Sequence, residues 1–78
     1  MSLFEEIREI ICEQLDAEPE EITPETSFIN DLWLDSFDAI ELITALERKY
    51  GIEISNEDSE KMGTVDDMVR YIELKTRR

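Results

Sequence analysis

Histidine is missing from this chain of 78 residues, and cysteine occurs once, at Cys12. Without an imidazole, no serine has the usual base to make it a nucleophile, and no Cys/His metal cluster can form. A lone cysteine builds no internal disulfide, which agrees with a reducing compartment. Glycine and proline are scarce, two of each, and 41% of residues are apolar, so the composition excludes a disordered chain and favours a compact helical one. No apolar run approaches the length of a membrane span, and Met1-Ser2-Leu3-Phe4-Glu5-Glu6 has no basic region before an apolar stretch; a cytoplasmic protein is expected. Bases are few as well: 8 against 21 acids, a net charge of −13. That surface repels nucleic acid and anionic membranes and attracts partners with basic patches. Residues 1–35 hold 11 of the acids and a single base, Arg8.

What is present fits one small domain, residues 1–78, around one core. Ser2-Leu3-Phe4-Glu5 has the form of a capping box. It opens a helix whose Leu3, Phe4, Ile7, Ile10, Ile11 and Leu15 share one face and whose Glu5, Glu6, Glu9 and Glu13 share the other, ending near Leu15 or Asp16. Cys12 lies beside that apolar stripe and reads as incidental. A long connection follows, to Leu34, punctuated by Pro19 and Pro24, with Ile22, Phe28, Leu32 and Leu34 as anchors into the core. Asp35 can cap a second helix with Ala39, Leu42, Ile43, Leu46 and Tyr50 inward, ending at Gly51. Phe37 and Ile40 fall on its polar side with Glu41, Thr44, Glu47 and Arg48; they are either a docking spot or covered by a loop. Ile52 and Ile54 flank Glu53 in a stretch too short for a sheet. Asn56 can cap a short helix to Lys61 with Met62 inward. Thr64 with Asp67 opens the last helix, which packs Val65, Met68, Val69 and Ile72, and Lys75, Arg77 and Arg78 meet its negative dipole end. The expected fold is all-α: a four-helix bundle, three main helices and one short, with a long loop between the first two. The segment Gly51–Gly63 is expected to open most readily.

The carboxylates read as a solvated acidic surface. Asp31–Glu41 fails the calcium-loop pattern because Trp33 and Phe37 stand where oxygen ligands or the turn belong, although weak surface binding of calcium or magnesium is expected. Ser36 remains. It is either a second capping residue or a modification point, since a phosphodiester on its hydroxyl would sit beside the free amides of a helix start.

Glu21-Ile22-Thr23-Pro24-Glu25-Thr26-Ser27-Phe28, then Asp31-Leu32, then Asp35-Ser36-Phe37-Asp38-Ala39-Ile40-Glu41-Leu42, with Ala45-Leu46-Glu47, Tyr50, Ile52-Glu53-Ile54, Thr64-Val65 and Tyr71-Ile72, closely resemble the acyl carrier proteins over nearly the whole chain. The resemblance implies a non-enzymatic carrier of acyl groups as thioesters on a 4′-phosphopantetheine arm joined to Ser36, with Asp35 in the attachment motif. It implies modification by a phosphopantetheinyl transferase and docking to acyl-transferring and condensing enzymes with basic patches through Phe37, Asp38, Ile40, Glu41 and Glu47. This resolves the two readings of Phe37 and Ile40 in favour of docking. Leu42, Leu46, Ile54, Met62 and Ile72 look like the lining of the cleft that shelters the acyl chain, and the protein is expected to be a monomer. Phe37 replaces the usual leucine after the serine, Trp33 a usual glycine, Arg48 and Lys49 the usual acids, and Thr44 a bulkier apolar residue. These departures point to a specialised carrier of a dedicated cluster rather than the housekeeping protein of fatty acid synthesis. An aminoacyl or peptidyl carrier and an unmodified acidic interaction module are the alternatives.

Overall fold

The computed structural model describes residues 2–32 and 34–76, so the expectations placed on Trp33, Arg77 and Arg78 lie outside the described residues. Four α-helices follow in order: α1 (Leu3–Leu15), α2 (Ser36–Tyr50), α3 (Asn56–Lys61) and α4 (Val65–Thr76). A 3-10 turn, Pro19–Glu21, lies in the α1–α2 loop. Among the described residues there is no β-strand, only an isolated antiparallel bridge between Ser27 and Thr64.

Local chemistry sets the helix ends. Ser2 Oγ accepts the Glu5 amide while Glu5 Oε1 accepts the Ser2 amide, the reciprocal box expected at the start of α1. That bonding holds the Glu5 carboxyl below its usual range. Asp16 ends α1 in the left-handed region at φ 54°, where aspartate is tolerated, and Gly51 ends α2 the same way at φ 65°. Thr64 and Asp67 form a second reciprocal box before α4, and Lys75 sits in its last turn. One cap differs from expectation. Ser55, not Asn56, caps α3, its Oγ accepting the Asp58 amide at 3.1 Å, and Asn56 is the first helical residue.

The core collects the inward stripes. Ile7 and Ile11 of α1, Leu42 and Leu46 of α2, and Val65 and Ile72 of α4 are fully buried; Met62, Met68, Ile54, Ile22 and Phe28 join them. Burial of such side chains stabilises by about 1.5–3 kcal/mol each before entropy is counted. The helix α1 packs mainly on α2 and then on α4.

The long loop is stitched to the start of α4. Val65 N–H donates to Thr26 O, Asp66 N–H to Pro24 O and Phe28 N–H to Gly63 O, at 2.9–3.1 Å. With Asp67 on Thr64 Oγ1 and Met68 on Thr64 O, the four first-turn amides of α4 are all engaged, two of them by the loop. Ser27 then closes a tight turn, accepting the Asn30, Asp31 and Leu32 amides, and Leu34 N–H returns to Phe28 O at 3.0 Å. This chain of bonds places Asp35 and Ser36 on the same cleft as Gly63 and as Ser59 and Glu60 of α3.

Candidate functional site

Ser36 is the first residue of α2 and is exposed. Asp35, the N-cap, accepts the Asp38 amide on Oδ1 at 2.8 Å and the Ala39 amide on its carbonyl at 2.9 Å. Of the first-turn amides, those of Ser36 and Phe37 are left without a protein partner among the described residues. The hydroxyl thus stands at an open helix N-terminus whose dipole favours an anion. One carboxylate oxygen that would repel such an anion is already committed to the helix.

A cleft of about 320 Å³ opens beside Ser36. Leu34 and Ile29 of the loop form its rim, Ala39, Leu42 and Ile43 one wall, and Met62, Gly63 and Met68 the other, with Phe28 between them. Its exposed lining is mostly apolar. Of the residues expected to line a cleft, Leu42 and Met62 do so. Leu46 and Ile72 are fully buried in the same apolar cluster without reaching the cleft surface, and Ile54 borders a separate polar depression with Glu47, Asp58, Tyr71 and Lys75. Ala39 and Ile43 line the cleft too, beyond the expected set, and the sequence carries a signal for them: counting three and then four residues on from Ser36 keeps to one side of the helix. Phe28, Met68 and Ile29 come from other elements and carry no such signal.

On the outward side of α2, Phe37 is 67% and Ile40 64% exposed, so no described loop covers them, and Glu41 is exposed beside them. Asp38 is half-buried. Glu47 is half-buried too, and its Oε2 accepts the Ile54 amide at 2.8 Å, tying the α2–α3 connection to α2. Cys12 is half-buried, and burial pushes its thiol up, away from a reactive thiolate.

The family model described as the phosphopantetheine attachment site matches residues 5–72. The chain belongs to the acyl carrier proteins. An acyl carrier protein of Wolinella succinogenes is 51% identical over 73 residues, covering 94% of this chain and 96% of that one. An acyl carrier protein of Helicobacter pylori strain G27 is likewise 51% identical, covering 94% of each. The solution structure of a putative acyl carrier protein from Anaplasma phagocytophilum superimposes with a TM-score of 0.86 at 35% identity, covering 96% of this chain and 89% of that one. Such proteins carry and do not catalyse. This carrier serves biosynthesis with 4′-phosphopantetheine as its prosthetic group, which when bound supplies the thiol that holds acyl groups as thioesters. The site fits the group: an exposed hydroxyl, two amides without a partner among the described residues to meet a phosphodiester, and an apolar cleft that Ser36 itself borders.

Proposed function

We propose that Ser36 is the residue to which the arm is joined, that the adjoining cleft shelters the acyl chain, and that partners dock on the α2 face. The observation that carries this is the exposed Ser36 hydroxyl at the open start of α2, on the rim of the apolar cleft. Attachment is a phosphoryl transfer from coenzyme A. The Ser36 Oγ loses its proton to the transferase and forms a phosphodiester, and the pyrophosphate bond of coenzyme A breaks to release adenosine 3′,5′-bisphosphate. The amides of Ser36 and Phe37 then face the added charge. Asp35 holds the helix start in position, its Oδ1 accepting the Asp38 amide.

Leu42 and Met62 line the shelter, with Leu46 and Ile72 in the apolar cluster behind them. Phe37, Ile40, Asp38 and Glu41 meet the apolar and basic surface of the transferase and of acyl-transferring and condensing enzymes. Glu47 contributes through its second oxygen. The carrier works as a cytoplasmic monomer without catalytic activity of its own. Phe37, Thr44, Arg48 and Lys49 suit it to a restricted partner set, as in a dedicated cluster.

Incubation with coenzyme A and a broad-specificity phosphopantetheinyl transferase should add one arm, read by intact mass, and Ser36→Ala should abolish the addition. A bare wild-type protein would overturn the reading and leave an unmodified acidic interaction module.

A further inference from the structure

The outward face of α2 reverses its charge along its length. At about 100° per residue, Phe37, Ile40, Glu41, Thr44 and Arg48 fall within an arc of about 100°, opposite the buried Leu42 and Leu46. Within this arc Glu41 makes the Ser36 end acidic and Arg48 the far end basic, with Glu47 at the edge of the arc beyond Ile40, its Oε2 held by the Ile54 amide. Glu41 and Arg48 lie about 10 Å apart along the axis, roughly one Debye length at physiological salt, so a partner meets two patches of opposite sign. Arg48 is exposed, and the ion pair found among the described residues, Arg70 with Asp66, does not involve it. A cation in the last turn suits the helix dipole at any azimuth. Lys49 satisfies that requirement about 100° away, off the stripe. The dipole therefore gives no reason for a base in line with Phe37 and Glu41.

We infer that Arg48 is a specificity-determining residue of the docking face. It pairs with a carboxylate on the partner enzyme, whose surface also carries a basic residue for Glu41 and an apolar recess for Phe37 and Ile40. The inference rests on the carrier reading above. An enzyme with a uniformly basic patch is repelled at Arg48; one with a base opposite Glu41 and an acid about 10 Å further along α2 is accepted.

The test uses a broad-specificity phosphopantetheinyl transferase with a basic docking patch, together with versions in which each patch base is changed singly to glutamate. Loading from coenzyme A is measured on wild-type carrier, Arg48→Glu and Lys49→Glu. With the unaltered transferase, Arg48→Glu should lower KM about twofold to fivefold with kcat unchanged, the span of an exposed charge contact, and Lys49→Glu should change it less. One patch reversal should invert the preference, loading wild-type carrier better than Arg48→Glu. Equal responses of the two carrier variants, with no reversal that separates them, would reduce the effect to net charge and overturn the inference. Loading that persists in Ser36→Ala, or no loading of the wild type, would instead defeat the carrier reading on which it stands.

Discussion

Thr26 is 6% exposed, the buried polar residue among those described, and its hydroxyl stands at a junction. The Oγ1 accepts the Thr23 amide at 2.8 Å and donates to Glu21 O at 3.0 Å, while its backbone carbonyl accepts the Val65 amide. Thr26→Val keeps the shape and deletes the hydroxyl, so the Thr23 amide and the Glu21 carbonyl, both on exposed residues, lose this partner. It should cost about 0.5–1.5 kcal/mol of unfolding free energy, read as a lower urea midpoint at constant slope. A change within about 0.5 kcal/mol would mean that water replaces the lost bonds. Nothing near Thr26 in the sequence marks it as buried, because its surroundings come from residues on both sides of a loop and from α4. Ser36 is the opposite case. Its exposure, its cap and its place at a helix start all depend on Asp35 to Ala39, and so could be read from a short stretch. The cleft beside it could be read only in part, because Met68 and Phe28 reach it from elements 32 and 8 positions away in the chain.

At the scale of elements, the helices that declare themselves are those with local punctuation: the boxes at Ser2–Glu5 and Thr64–Asp67, the cap at Asp35, the left-handed end at Gly51. The short helix α3 is less well marked. Ser55 and Asn56 are adjacent and equally able to cap, and the choice falls to Ser55 because packing of Ile54 and Met62 fixes the register. No residue of α3 itself is buried; beyond Met62 it is held by the hydroxyl of Tyr71 in α4, which donates to Asp58 Oδ2 at 2.7 Å. Since Ser59 and Glu60 of α3 border the cleft beside Met62, the strength of that tie bears on how readily cargo enters. Partial burial, and then the bond to Asp58, pushes the Tyr71 phenol up to about 12, and the same bond holds the Asp58 carboxyl below its usual range. The two shifts have opposite signs of linkage. The Tyr71 contribution is complete below the ordinary phenol value and is lost as pH rises from about 10 to about 12. The Asp58 contribution is present above the ordinary carboxylate value and fades as pH falls through the lowered one. Tyr71→Phe should therefore remove a phenolate transition displaced to about 12 in the near-ultraviolet and lower amide-exchange protection in 51–63 at neutral pH, leaving α1 unchanged. Equal loss of protection in α1 and α3 would make Tyr71 a general packing residue rather than a local tie.

The whole molecule carries −13 on a body with a radius of gyration of 11.2 Å. That radius is close to the Debye length of about 10 Å at 0.1 M salt, so at low ionic strength nearly every acid feels every other. Little offsets this within the described residues: the ion pair between Arg70 and Asp66 is largely exposed and worth at most about 1 kcal/mol. Arg8 and Lys75 rest over the rings of Phe4 and Tyr71 at 5.5 Å and reach Glu5 and Asp58 only as minor electrostatic partners. Folding confines the excess charge, and unfolding relaxes it; salt should consequently stabilise the folded form. Raising salt from about 10 mM to about 0.5 M should lift Tm, by about 4–8 °C for each kcal/mol of repulsion screened in a domain of this size. Magnesium should act at lower concentration than sodium at matched ionic strength, because a divalent ion gathers at a field of clustered carboxylates. The same field draws basic partners toward the acidic end of α2, so loading by a basic transferase should slow as salt rises while Tm climbs. The two trends oppose one another, which separates them from any single effect of salt on the fold. A melting temperature indifferent to salt, with loading still salt-sensitive, would mean that the unfolded chain is as compactly charged as the native one.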